Sequence, residues 1–251
     1  MFGATQLHDD VYIVCGGSSS ILRFNAITHQ RLADIDVKDL AKPGDIVACE
    51  QTSRVYVADW EQCVWRVSAD GSDIKRWLPK SPSDSFRPLT LSVTSTRLLV
   101  TSQATKQLTQ TDAGGDELRR VQLPEYMELE HAVESSNGTF VVSHENTQLE
   151  QYQVSEVNTD GEVLRHFSSS RLSVVLPQHI AVDSHGNTFA ADTYSRRILL
   201  LDAQLTLRRC VVDEHQLNFK ELCSLQCYRE RSGQLFIARG RFLAVFDVLR
   251  R

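Results

Sequence analysis

The stretch GNTFAADTYSRRILLLD, residues 186–202, decides how the rest of the chain is interpreted. Two short apolar runs flank a polar hexapeptide that begins at Asp192. This polar segment is either a catalytic loop or the connection within one hairpin of a repeated scaffold. Further copies of TFAAD, which begins at Thr188, would favour the second interpretation.

Five other segments resemble TFAAD, and successive copies lie 41 to 49 residues apart. They are VYIVC from Val11, VYVAD from Val55, LLVTS from Leu98, TFVVS from Thr139 and LFIAR from Leu235. A period in the forties is typical of propeller blades, each built from four short strands and their turns. The polar hexapeptide is therefore interpreted as a hairpin connection in a repeat.

The context of each copy repeats as well. A polar turn precedes it, and a polar loop and a further apolar run follow it, with Gly and Asp in turns that suit tight hairpins. No segment keeps a helical period. We predict an all-β protein, a six-bladed β-propeller of four-stranded antiparallel blades in a single domain over residues 1–251. The predicted blades cover residues 2–36, 44–79, 88–123, 130–167, 177–212 and 222–248.

The last predicted blade lacks an outermost strand, because the chain ends soon after FLAVFDV, residues 242–248. We expect the N-terminal segment GATQL, residues 3–7, to help close the ring. The sequence leaves open whether that segment serves as an innermost or an outer strand.

Composition narrows the classes of function. The 251 residues carry a net charge of −5, which disfavours a strongly basic nucleic-acid surface, and no DNA partner is expected. No apolar run is long enough to span a bilayer, and the N-terminus has no apolar signal segment, so a cytoplasmic protein without a membrane partner is expected. The six cysteines include no C-x2-C pair. Buried free thiols and no cofactor are therefore expected.

Two segments resemble NHL repeats. LPQHIAVDSHGNTFAADTYSRRILLLD, residues 176–202, has a Pro before the inner strand, IAVD, a Gly turn, a strand ending in Ala-Asp, and Arg-Ile before an apolar strand. Residues 42–71, KPGDIVACEQTSRVYVADWEQCVWRVSADG, form a weaker copy. The resemblance implies an NHL-type propeller like the C-terminal domain of tripartite-motif proteins. It also leaves room for an attached ubiquitin-ligase module elsewhere in a longer protein.

The resemblance implies a structural role for Asp192 and for Asp59 at the same place in the second copy. An Asp at a strand end can accept hydrogen bonds from backbone N–H groups of the next loop, or pair with Arg197 or Arg66. Neither carboxylate is therefore expected to be catalytic.

Ligands of such a fold usually bind at the face formed by the loops between second and third strands and the loops between blades, here called the top face. The predicted top face mixes aromatic, Arg and acidic residues, which is typical of protein contact surfaces. We predict a recognition module that binds a protein or peptide and is not itself an enzyme. The candidate binding residues are Trp60, Phe86, Arg87, Tyr126, Tyr194, Arg196, Arg239 and Arg241.

Two alternatives stay open at this point. The same Arg and aromatic residues could stack on RNA bases and pair with phosphates. A metal-dependent lyase or hydrolase would instead need a zinc site, for which the candidates are His131, His144 and His179. No H-E-x-x-H pair supports that zinc site, so no metal is predicted.

Overall fold

The computed structural model describes residues 2–60, 62–80, 86–168, 177–192, 195–213, 215, 224–229, 234–239 and 242–247. Over these residues the chain is built from antiparallel β-sheets, as predicted. It forms two compact units, Met1–Arg120 and Val121–Arg251. No helix in the described part of the chain is long and apolar enough to cross a membrane.

The first unit contains three four-stranded sheets, each a meander in which neighbouring strands are also consecutive in the chain. The strands are β1 (Phe2–Leu7), β2 (Asp10–Cys15), β3 (Ser20–Asn25) and β4 (Ile35–Asp36); β5 (Pro43–Cys49), β6 (Arg54–Asp59), β7 (Cys63–Ser68) and β8 (Ile74–Leu78); and β9 (Leu91–Thr94), β10 (Arg97–Ser102), β11 (Gln107–Thr111) and β12 (Glu117–Gln122), the last of which runs two residues past the unit boundary.

The second unit contains two more four-stranded meanders and a sheet of three described strands. Its strands are β13 (Met127–Glu134), β14 (Phe140–Asn146), β15 (Gln151–Val157) and β16 (Val163–Phe167); β17 (Pro177–Val182), β18 (Thr188–Asp192), β19 (Arg197–Leu201) and β20 (Leu207–Val212); and β21 (Ser224–Arg229), β22 (Gln234–Arg239) and β23 (Phe242–Asp247).

The prediction of six four-stranded blades is corrected to five, because the sheet formed by the last copy has only three strands among the described residues. The N-terminal segment is the inner strand of the first blade. Gly3 pairs with Val14 and Leu7 pairs with Asp10. Residues 3–7 therefore pair with β2 of the same blade.

The cores lie between neighbouring sheets. In the first unit, Tyr12, Val14 and Ile21 of the first blade pack with Ile46 and Val57 of the second. In the second unit, residues of the blades β13–β16 and β17–β20 share another buried cluster. Because successive strand residues point to opposite faces, each blade needs a neighbour on both faces to bury its apolar side chains.

A glycine in the second unit allows two backbone segments of that unit to approach closely. Gly161, with φ of +86°, lies between β15 and β16, and an added Cβ would come within 2.1 Å of the Gln122 carbonyl oxygen. Only glycine tolerates both that close approach and the positive φ.

Candidate functional site

The end of blade β13–β16 that carries the β14–β15 loop presents a row of polar side chains. Glu128 on β13 lies directly opposite Glu145 on β14, and Glu145 lies opposite Tyr152 on β15. Residues that pair across strands project on the same face of the sheet, so these three side chains are neighbours. Two like charges directly opposite each other on neighbouring strands repel.

Glu130 adds a third carboxylate to this region. It is the extra residue at a register shift between Leu129 and His131, and it is partly buried. Burial, followed by repulsion from Glu128 and Glu145, raises the pKa of Glu130 to about 7. Burial, with the Glu145 charge next, also raises the pKa of the Tyr152 phenol. We call Glu128, Glu130, Glu145 and Tyr152 the acidic ladder.

Two of the three candidate histidines come together. His131 on β13 and His179 on β17 are both buried, and their ring centroids lie 5.2 Å apart with planes tilted by 46°. Each follows a register shift in the inner strand of its blade. Burial, with His131 as the second cause, lowers the pKa of His179 to about 3, so its imidazole is neutral at physiological pH. The pair is therefore a contact between two adjacent blades.

The third candidate, His144, does not join this pair. Ser143 pairs with His131, so the next residue along β14 projects on the opposite face of the blade. There the Nε2 atom of His144 lies 2.8 Å from the Ser155 hydroxyl, and burial lowers its pKa to about 4. Among the described residues, no group of three or more His, Cys, Asp or Glu side chains is arranged to hold a metal ion.

The pairing register explains the position of His144. Pro43 pairs with Asp59 in one blade and Pro177 pairs with Asp192 in another, each just before a register shift in the inner strand. His144 occupies the corresponding position in its own blade, opposite Leu129. Alignment of TFVVS with TFAAD places Ser143 there instead, because register shifts leave no signal in the apolar pattern.

The structural role predicted for Asp192 is confirmed. Its buried carboxylate accepts a hydrogen bond from the Ser195 amide at 3.1 Å and from the Arg197 Nε at 2.9 Å. The equivalent Asp59 accepts hydrogen bonds from the amides of Ala41 and Lys42 in the preceding loop, both at 3.0 Å. The polar segment that begins at Asp192 is thus a hairpin connection, and hydrogen bonds to the Asp192 carboxylate stabilise it.

Replacing Asp192 with Asn should lower the free energy of unfolding by about 2 kcal/mol, because the amide leaves the half-buried Arg197 guanidinium without its charged acceptor. Urea denaturation measures the difference. Asp183→Asn is the matched control: Asp183 caps the turn before β18 by accepting the amides of His185 and Asn187, which an Asn oxygen can also do. Equal losses in the two variants would contradict the bracing role.

Two predicted binding residues of the first unit contribute to packing. The Trp60 Nε1 atom donates a hydrogen bond to the Leu89 carbonyl oxygen at 2.9 Å, and its ring lies over Gly44. Phe86 is partly buried against the cluster that includes Leu91. Arg87 is exposed. Participation of these residues in binding stays a prediction.

In the second unit, Tyr126 and Arg196 are partly buried. The backbone carbonyl of Tyr126 accepts hydrogen bonds from the amide and hydroxyl of Thr147 at 2.9 and 3.2 Å, which places the loop before β13 beside the β14–β15 loop. Tyr194 and Arg241 lie outside the described residues, and so does the side chain of Arg239 at the end of β22.

No protein-family model matches the sequence, and no curated protein matches it. Solved structures do match it. A protein of unknown function from Bacteroides caccae aligns with a TM-score of 0.68 at 13% identity, covering 91% of this chain and 81% of that one. Hydrazine synthase from Kuenenia stuttgartiensis aligns with a TM-score of 0.71 at 15% identity, covering 98% and 83%.

A catalytically inactive histidine-to-alanine variant of virginiamycin B lyase from Staphylococcus aureus, solved with quinupristin, aligns with a TM-score of 0.68 at 14% identity. The alignment covers 94% of this chain and 75% of that chain. Identities this low carry information about the fold alone. Together with the four-stranded meanders, these similarities identify the chain as a β-propeller protein.

Proposed function

We propose that the chain is a protein-interaction module and that the acidic ladder binds a basic segment of its partner. The propeller fold is compatible with such a role. The observation that carries the proposal is the placement of Glu128 directly opposite Glu145, with Glu130 and Tyr152 beside them. Two carboxylates on one face of the sheet would both attract a bound Lys or Arg side chain.

The neighbouring aromatic residues suit the same partner. Tyr126 precedes β13, and its loop is tied to the β14–β15 loop through Thr147. Tyr152 supplies a phenol within the ladder. Tyrosine adds apolar contact area and a hydrogen-bonding group at little cost in side-chain entropy, which is why it is enriched at binding hot spots. We therefore expect the partner segment to combine basic and apolar residues.

The finer identification as an NHL domain of a tripartite-motif protein is also a proposal. It rests on the two repeat-like segments, residues 42–71 and 176–202. In that context the module would recognise substrates or partners for domains located elsewhere in a longer protein. A cytoplasmic location belongs to the same proposal.

Selection from a displayed library of random dodecapeptides tests the docking proposal. Peptides that bind the wild-type protein are expected to be enriched in Arg and Lys, and Glu128→Lys with Glu145→Lys is expected to weaken the best peptide at least about ten-fold. Fluorescence anisotropy with that peptide measures the change. Asp160→Lys with Glu162→Lys is the matched control, since it reverses two charges in the turn at the other end of β15.

Two outcomes would overturn the docking proposal. One is a selection without enrichment of basic residues, and the other is equal binding by the ladder variant and the control. An RNA-binding function predicts instead that an oligouridylate binds with an affinity that falls steeply with salt. Like charges on the ladder and on phosphate disfavour that result at this end of the blade.

A lyase is the second candidate function, favoured by the His131–His179 pair and by the structural similarity to virginiamycin B lyase. A neutral imidazole can accept a proton from a substrate, but burial, which lowers the pKa of His179 to about 3, makes that ring a weak base. Quinupristin incubated with the protein and followed by mass spectrometry tests this candidate. Conversion by the wild-type protein, lost in a His131→Ala variant, would support a lyase and would count against a pure docking module.

A further inference from the structure

The outermost strands of four successive blades share a sequence pattern. Strands β8, β12, β16 and β20 each contain, starting at their first or second residue, an apolar residue followed by two basic residues or, in one case, by Arg and His. Two of these strands belong to each unit, and each forms one edge of its sheet. The segments are Ile74-Lys75-Arg76, Leu118-Arg119-Arg120, Leu164-Arg165-His166 and Leu207-Arg208-Arg209.

The leucines of this pattern are unusually exposed. Leu118, Leu164 and Leu207 expose 52%, 49% and 42% of their surface. They are three of the five large hydrophobic residues that are exposed in the described part of the chain. Single exposed leucines are common, but their recurrence within the first two residues of three outer strands indicates a surface that contacts another molecule.

Cations surround these leucines. Arg120 forms an ion pair with Glu117, Arg165 with Glu156 and Arg208 with Asp202. One cation in each of these three segments is therefore paired within the protein. Lys75, Arg119 and Arg209 are exposed and form no ion pair with any residue that the structure describes. Each unit therefore presents an exposed cation on an outer strand, next to an exposed leucine.

Protection of sheet edges explains only part of this pattern. Charged residues and register shifts discourage another strand from pairing with an edge. The register shifts are present in β8, β16 and β20. Neither charged residues nor register shifts require an exposed leucine. An exposed leucine instead favours association of the edge with another protein. A partner that uses these leucines must therefore bind mainly through side chains, because regular strand addition is blocked.

We propose that the outer strands are docking surfaces, β8 with β12 and, separately, β16 with β20, each for an acidic segment of a protein partner that also carries apolar residues. Charge complementarity with Lys75, Arg119 and Arg209 selects the acidic residues, and the exposed leucines select the apolar ones. A second copy of this surface would bring like charges together, and a phosphate backbone would leave the leucines without a contact.

A fluorescein-labelled dodecapeptide of repeated Glu-Glu-Leu tests the proposal by fluorescence anisotropy. The wild-type protein is expected to bind it, and the variant that combines Leu118→Ser, Arg119→Glu, Leu207→Ser and Arg209→Glu, which alters the surface of each unit, should weaken binding at least about five-fold. The control Leu149→Ser with Lys38→Glu changes an equally exposed leucine and cation away from the outer strands. Circular dichroism establishes that each variant is folded, and Arg119→Gln provides a milder second variant.

Peptides of Lys-Lys-Leu and Glu-Glu-Ser repeats should bind at least about five-fold more weakly than the Glu-Glu-Leu peptide, because each lacks one of the two selected features. No binding of Glu-Glu-Leu, equal weakening in the control variant, or tighter binding of a dodecameric oligouridylate would overturn the proposal. The acidic-ladder variant should bind the Glu-Glu-Leu peptide at least as well as the wild type, which separates this surface from the docking site proposed above.

Discussion

Gly44→Ala is expected to lower the free energy of unfolding by about 3 kcal/mol, which exceeds an ordinary glycine replacement in an extended segment. An added Cβ would lie 1.6 Å from the Trp60 Nε1 atom and 2.1 Å from its Cε2 atom. The indole cannot move aside freely, because its Nε1 atom donates a hydrogen bond to the Leu89 carbonyl in the next blade. Relief of the overlap therefore requires breaking that bond or shifting β5.

A double-mutant cycle tests this explanation. Trp60→Ala alone should cost about 2 to 4 kcal/mol through the lost packing and hydrogen bond. In that background, Gly44→Ala should cost less than about 1 kcal/mol, because the atoms it collides with are gone. Urea denaturation of the four proteins gives the coupling. Additive losses would contradict the proposed overlap, and Gly114→Ala, where the nearest atom is a side-chain oxygen at 3.2 Å, is the control.

The cycle also bears on how a Trp60 variant should be interpreted. The sequence places Trp60 in a loop on the predicted top face, where an aromatic residue is typical of a binding hot spot. The structure shows that the side chain joins two blades. A binding defect in Trp60→Ala would therefore report packing as well as contact, and Arg87→Ala would separate the two contributions in the first unit.

The repeat is enough to predict the blades. Hydrophobic alternation and turn residues are local properties, so the copies of TFAAD predict the strands and their antiparallel order. The hydrogen bonds of Asp192 are predictable because they are also local: its partners Ser195 and Arg197 lie within five residues of it. The number of four-stranded blades is less predictable, because the sixth copy has the apolar runs of a blade, yet only three of its strands lie among the described residues.

The candidate site depends on register, which the sequence pattern does not record. Glu130 and His131 are positioned by a register shift, and one extra residue exchanges the faces on which following side chains project. The same effect separates His144 from the other two histidines. Glu128 and Glu145 lie on strands that are consecutive in the chain. Their pairing can be predicted only when the position of the register shift between Leu129 and His131 is known.

Asp45 is a buried carboxylate that links two blades of the first unit. It is 2% exposed, and its two oxygens accept hydrogen bonds from the amides of Ile46 and Leu91, both at 2.8 Å. The second bond joins β5 to the inner strand of the next blade. Burial raises the pKa of Asp45 to about 7, and the two amide hydrogen bonds oppose that rise.

The sign of the pH effect follows from where the proton is held. Between about pH 4 and pH 7 the folded protein keeps a proton on Asp45 that the unfolded chain releases. Stability contributed by this group is therefore largest at low pH and falls as pH rises through that window. A full proton changes the free energy of unfolding by about 1.4 kcal/mol per pH unit. His144 and His179, whose pKa values are lowered, act in the opposite direction over much of the same range.

Comparison of the wild type with Asp45→Asn isolates the Asp45 contribution, because the histidines are common to both proteins. The amide is uncharged and has nearly the same shape, so it resembles the protonated acid at every pH. We expect the variant to gain about 2 to 4 kcal/mol relative to the wild type as the pH is raised from 4.5 to 8. Urea denaturation at half-unit steps measures the difference, with Asp160→Asn as a control for the substitution itself. A difference that stays constant with pH would show that Asp45 has the same protonation state in the folded and unfolded protein. The hydrogen bonds from the Ile46 and Leu91 amides would then be accepted by a carboxylate that remains ionised.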